Sequence, residues 1–153
     1  MVSTVAQKVM MAEFLNTFQK SIFVIASGKF RSVNPCKRHG SIYAGTGLEP
    51  WLRERGVDTV TLVGFMANNC ILASAAQGEA LGLTTEVLSD AVGAVNLRNR
   101  AGKADARAVH ATLMALLHSN WAAVAATDEW CRALGRGAPL PCSNLVASAV
   151  APF

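Results

Sequence analysis

From residue 48 onward the chain alternates short β-branched runs with stretches of helical periodicity, and that alternation leaves few possible architectures. Residues 59–64 (TVTLVG), 84–89 (TTEVLS) and 122–126 (AAVAA) read as strands. Residues 70–81, 104–118 and 128–134 read as the helices that follow them, with Val109, Leu113, Leu116 and Leu117 giving the second an apolar side. A short helix over 48–55 precedes the first of these strands and ends at Gly56, where a left-handed cap needs no Cβ. Gly82 stops 70–81. Thr127 is expected to cap the last helix, whose first turn holds Asp128 and Glu129, where the helix dipole favours negative charge. Short connections between such elements require right-handed parallel crossovers with helices on both faces of a sheet. The expected fold is an α/β three-layer αβα domain with a mostly parallel sheet.

The amino-terminal part is less regular. Val5, Val9, Ala12, Leu15 and Phe18 recur at helical spacing, so 5–18 reads as a helix. Residues 21–26 (SIFVIA), bounded by Gly28, suit a buried strand. Residues 27–47 read as one long loop, and loops of that length in compact domains are usually functional. Residues 135–153, rich in Pro, Gly, Ser and Ala, read as a loose tail. A length of 153 residues suits one domain, assigned to 1–134, burying about two-thirds of its unfolded surface.

Composition narrows the function. With 52% hydrophobic and 16% charged residues the chain is neither disordered nor a solvated coiled coil. Its apolar windows break well before the roughly 18 residues a membrane span needs, and no secretory pattern opens the chain. Cys36, Cys70, Cys131 and Cys142 form no CxxC pair and read as reduced thiols of a cytoplasmic protein. The formal charge of +4 is spread without a basic run, so a nucleic-acid partner is not expected. No G-x-G-x-x-G or G-x-x-x-x-G-K-[ST] occurs, and no cofactor is expected.

Cys70 is the most informative position. It follows 59–64 by a six-residue turn and opens the next helix, which puts it at the carboxyl ends of the strands, where open α/β sheets bind ligands. There the dipole and free N–H groups stabilise a thiolate. The alternative is a small buried hydrophobe, a common use of cysteine.

The segments around Cys70 shift the balance toward the first. Residues 37–52 (KRHGSIYAGTGLEPWL) resemble the loop K-x-x-x-S-A-F-x-G-T-x-L-x-x-x-L of the isochorismatase-like cysteine hydrolases. Residues 55–64 (RGVDTVTLVG) and 68–71 (NNCI) resemble that family's R-G-I-x-x-(V/L)-x-(V/L)-x-G and T-N-x-C-V. Gly82-Leu83, Asp90-Ala91 and His110 follow its G-(V/I/L)…D-A…H order, so the resemblance runs over residues 35–134.

The resemblance implies a site. Cys70 matches the nucleophile that forms a thioester-type intermediate, and Lys37, 33 positions earlier, matches the lysine that holds the thiol as thiolate. The peptide before Met66 matches a cis non-proline bond, and the Met66 and Cys70 N–H groups would form an oxyanion hole. Elementary chemistry agrees: a thiol of pKa about 8.5 is only a few per cent thiolate at neutral pH, and a nearby ammonium lowers that pKa. Tyr43 in the Lys37 loop, with Asn68 and Asn69 in the turn, are the expected substrate contacts.

Other residues are assigned plainer roles. His39 reads as a solvated loop residue and His110 as hydrogen-bonded packing. Trp51, Trp121 and Trp130 read as packing or oligomer contacts, and Asp90 as the orderer of the loop after its strand.

Two departures accompany the match. The first 34 residues hold no counterpart of the strand-ending aspartate of the Asp-Lys-Cys triad, so the first family strand is expected to be missing, and Ala67 stands where the family has Thr. No metal is expected. The reading is a cysteine hydrolase for a small amide or carbamoyl substrate, working as a homo-oligomer (dimer or tetramer). The alternatives are an impaired member acting as a structural or binding subunit, and a plain α/β ligand-binding module.

Overall fold

The computed structural model describes residues 22–26, 29–33 and 39–150. The expected helix at 5–18, and the side chains of Cys36 and Lys37, lie outside the described residues. In chain order the elements are β1 (Ile22–Ala26), β2 (Lys29–Val33), α1 (Leu48–Arg53), β3 (Thr59–Phe65), a π-helical turn (Ala67–Ile71), α2 (Leu72–Ala80) and β4 (Thr84–Gly93). They continue as β5 (Leu97–Asn99), β6 (Gly102–Ala104), α3 (Ala106–Asn120), β7 (Ala123–Ala125), α4 (Thr127–Arg136) and α5 (Leu145–Val150).

The main sheet has the order β2-β1-β3-β4-β7. β3, β4 and β7 are parallel, as the strand–helix alternation requires, while β1 runs antiparallel to both β2 and β3. β3 is buried on both faces, and its side chains separate by parity, as a strand's period of two dictates. Val60 and Leu62 join the larger core, under α1, α2 and α3, with Ile42, Leu52, Ile71, Val87, Val109 and Leu117. Val63 joins the smaller core on the other face, with Leu88, Ala123, Trp130, Ala133 and Leu140. These two cores separated by a sheet are the three layers expected.

Four expectations are corrected. The stretch 27–47 is not all loop: residues 29–33 pair antiparallel with 22–26 as a hairpin, Ile22 facing Val33 and Ala26 facing Lys29. The sequence KFRSV mixes charge and hydroxyl into a short run, which hides its strand character. β4 runs four residues past Ser89 to Gly93, and the following segment contains the β5–β6 hairpin. The tail is not loose throughout, since Leu140 is buried in the smaller core and residues 145–150 form a helix started by Asn144, whose Oδ1 accepts the Ala147 N–H (2.8 Å).

Last, Thr127 does not cap α4. The preceding position is Ala126 with no side-chain cap, and Thr127 instead donates both its N–H (2.9 Å) and its hydroxyl (2.7 Å) to Asp90 Oδ1. Asp90 thus orders a helix start 37 residues away.

Candidate active site

The site grows from the carboxyl end of β3. Leu62 pairs with Val87, but Gly64 pairs with Val92, so β4 loops out by several residues beside Val63. Gly64 has φ +123°, a backbone conformation that side chains disfavour. Gly93 lets β4 pass close to the Phe65 ring, since a Cβ there would lie 3.1 Å from Phe65 Cδ2. The Phe65–Met66 peptide is cis.

Met66 is extended, and the chain then closes into the π-helical turn that carries Asn68, Asn69 and Cys70. The helix therefore begins before Cys70, which is the fourth residue of that turn rather than the opening of α2. The Met66 carbonyl accepts the N–H groups of Asn69 (3.2 Å) and Ile71 (3.3 Å), passing over the Cys70 N–H between them. Widening the first turn in this way is what makes it π rather than α. Cys70 is a free, half-buried thiol, and Asn68 Oδ1 is buried with no hydrogen-bond partner among the described residues.

The segment following Lys37 docks against this turn. Gly40 is tight against it: a Cβ there would lie 3.0 Å from Asn69 Oδ1 and 3.2 Å from the Ala73 methyl. Ile42 donates its N–H to Ser74 Oγ (3.0 Å), and the Ser74 hydroxyl donates to the Cys70 carbonyl (2.6 Å). Ser41 Oγ accepts the Tyr43 N–H (3.2 Å), and Thr46 turns its hydroxyl onto the Ile42 carbonyl. The loop is thus tied to itself and to α2, and Ser41, Ile42 and Tyr43 are all buried.

The expected site residues divide accordingly. Met66, Asn68, Asn69 and Cys70 share one turn. Tyr43 is placed elsewhere: it is 4% exposed and its hydroxyl packs on Gly78, eight residues and so about 12 Å of helix beyond Cys70. Burial pushes its phenol far above the ordinary tyrosine range. Ser74 and Gly40 were not singled out in the sequence, although a serine four residues after Cys70 is positioned to bond back to that residue's carbonyl.

A family model describing the isochorismatase domain matches residues 29–128, well over half of the chain. The chain belongs to the isochorismatase family. Among curated relatives it is 30% identical over 94 residues to YrdC, an uncharacterised isochorismatase family protein of Bacillus subtilis strain 168, covering 61% of this chain and 50% of that one. It is 40% identical over 57 residues to the maleamate amidohydrolase of Pseudomonas putida KT2440, covering 37% and 27%. A solved protein of Burkholderia xenovorans LB400, provisionally assigned as an isochorismatase, superposes with a TM-score of 0.72 at 41% identity, covering 74% of this chain and 54% of that one. The chain thus spans about half the length of YrdC and of the Burkholderia protein.

Other features of this isochorismatase-family chain serve packing. His110 Nε2 lies 2.9 Å from the Ser89 carbonyl, and His118 Nδ1 accepts the Val124 N–H at 3.0 Å. Trp130 is buried and donates its indole N–H to Glu86 Oε2 (2.8 Å). Among the described residues no three His, Cys, Asp or Glu side chains gather as metal ligands, and no helix is long and apolar enough to cross a membrane. An open groove of about 670 Å³, lined by Thr84, Glu86, His118 and Trp121, lies at the amino ends of β4 and β7. The seven residues of β3, about 20 Å, separate that end of the sheet from Cys70.

Proposed function

We propose that the chain is a cysteine hydrolase acting on a small amide or carbamoyl substrate, with Cys70 as nucleophile. The observation that carries this reading is the position of Cys70 in the π-helical turn after β3, with its N–H left out of the bonds to the Met66 carbonyl. Donors placed where an oxyanion develops cost no reorganisation during reaction, and each is worth about a hundredfold or more in rate. In this reading the Met66 and Cys70 N–H groups receive the oxyanion.

The Cys70 thiol gives up its proton, the thiolate attacks the substrate carbonyl carbon, and the carbon–nitrogen bond breaks as the amine departs with that proton, leaving an acyl thioester on Sγ. Water then attacks the thioester, the carbon–sulfur bond breaks, and the acid and the thiol are released. Lys37 is assigned to hold the thiol ionised. Chain connectivity supports the assignment, because three residues span at most about 11 Å and Gly40 packs on Asn69. Asn68 and Asn69 are the proposed substrate contacts. The amidohydrolase named among the relatives supports an amide as the bond cleaved. Cytoplasmic residence and assembly as a homo-oligomer belong to the same proposal.

A second reading, a binding or structural subunit without turnover, draws on the lack of any described carboxylate hydrogen-bonded to Cys70 and of a triad aspartate in the first 34 residues. Competitive alkylation separates the two. For a nucleophile, Cys70 labels faster at neutral pH than Cys36, Cys131 or Cys142, and its modification abolishes amide hydrolysis. Equal, slow labelling of all four thiols overturns the hydrolase.

A further inference from the structure

We propose that Ser74 is a positioning residue that sets the relation between Cys70 and the loop following Lys37; this rests on the nucleophile reading above. Ser74 is 0% exposed and makes two bonds of opposite sense with one hydroxyl. It donates to the Cys70 carbonyl (2.6 Å) and accepts the Ile42 N–H (3.0 Å). Ile42 is likewise 0% exposed, so the bond it gives Ser74 is shielded from water.

A serine inside a helix commonly bonds back to the carbonyl four residues earlier, which bends the helix locally and by itself does nothing further. Here that carbonyl belongs to the proposed nucleophile, and the other lone pair of the same oxygen holds a backbone N–H five residues after Lys37. The two backbones are thus fixed at one separation by one atom. The loop transmits that constraint because Thr46 bonds back onto the Ile42 carbonyl and Gly40 packs on Asn69. Without the hydroxyl, Cys70 and the loop are held only by packing, and a misplacement of about 1 Å at a reacting group can cost roughly a hundredfold.

The test compares Ser74→Ala and Ser74→Thr with the wild type in amide hydrolysis and in iodoacetamide labelling of Cys70 at neutral pH. In Ser74→Ala, kcat falls about 10- to 100-fold while KM stays within about threefold, and Cys70 labelling at neutral pH slows. Ser74→Thr, which keeps the hydroxyl, recovers most of both. Should Ser74→Ala not fold, Ser74→Cys keeps a similar shape with weaker bonds and gives an intermediate fall in kcat.

Wild-type kcat and an unchanged labelling rate in a folded Ser74→Ala or Ser74→Cys protein overturn the proposal, as does a Thr variant no better than Ala. Slow wild-type labelling of Cys70 overturns the nucleophile reading itself. Fast wild-type labelling that Ser74→Ala leaves untouched overturns only the role of Ser74.

Discussion

Gly78 and Thr85 meet with no room for a methyl group between them: a Cβ on Gly78 would lie 2.7 Å from Thr85 Oγ1 and 3.4 Å from the Tyr43 hydroxyl. Helix α2 therefore approaches β4 and the loop at 39–47 as closely as backbone allows. Gly78→Ala gains about 1 kcal/mol of helix propensity but forces the short, strand-borne Thr85 side chain aside. The net expectation is a loss of about 1–2 kcal/mol in urea denaturation. In a Thr85→Ala background the same substitution becomes neutral or stabilising, because the steric part vanishes and the propensity part remains. Equal effects in both backgrounds refute the contact.

Tyr43 is the chain's single tyrosine, so its ionisation can be followed without assignment. Its hydroxyl is buried with no hydrogen-bond partner among the described residues, and burial raises its pKa. The sign follows: the unfolded chain releases the phenolic proton near pH 10 and the native chain does so only at higher pH. Stability from this group is therefore complete below about pH 10 and is lost as pH rises further. At about pH 11 the folded protein should show no phenolate absorbance, and the band should rise together with loss of far-ultraviolet circular dichroism. Phenolate absorbance in a protein that is still folded contradicts the burial. Because the hydroxyl lacks a partner, Tyr43→Phe should hold or raise stability rather than lower it.

Asp90 supplies the start of α4 from a different strand. Asp90→Ala removes the acceptor of both Thr127 donors and should cost about 1 kcal/mol, in the range of a lost helix cap. Asp90→Asn keeps an acceptor oxygen and should recover part of that loss. Thr127→Ala keeps the backbone bond and should be milder than Asp90→Ala in the same thermal melts. An unchanged midpoint in Asp90→Ala removes the assignment.

The contrast between Gly82 and Asp90 shows what a sequence makes legible. Gly82 ends α2 through its own backbone, with φ +70°, and such a local device is visible as a residue type at a spacing. The three parallel strands and their helices were legible for the same reason, since period and stop signals are properties of neighbours in the chain. Asp90 with Thr127, Ser74 with Ile42 and Tyr43 with Gly78 join segments 37, 32 and 35 positions apart. No periodicity encodes such pairs. Tyr43 shows the consequence: a polar aromatic in a loop beside a catalytic motif suggests a pocket wall, whereas the fold turns it inward under α2. β2 and α5 escaped because each is short and draws its order from pairing or capping rather than from an amphipathic pattern.

Catalysis gives the last prediction. Cys70→Ala should retain the cooperative melt of the wild type and lose amide hydrolysis by several orders of magnitude, since on the proposed mechanism Cys70 carries the acyl intermediate. Lys37→Ala tests the electrostatics more finely. Under the proposal above Cys70 attacks as the thiolate, the reactive form of a cysteine. An ammonium beside a thiolate favours the ionised form, so on the proposed role Lys37→Ala should lower kcat/KM and slow iodoacetamide labelling of Cys70 at neutral pH. Labelling needs no substrate, so it separates an effect on the thiol from any contact Lys37 makes with bound substrate. A fall in kcat/KM with Cys70 labelling unchanged would mean that Lys37 acts on bound substrate and not on the thiol, and the thiolate-holding role would have to be abandoned.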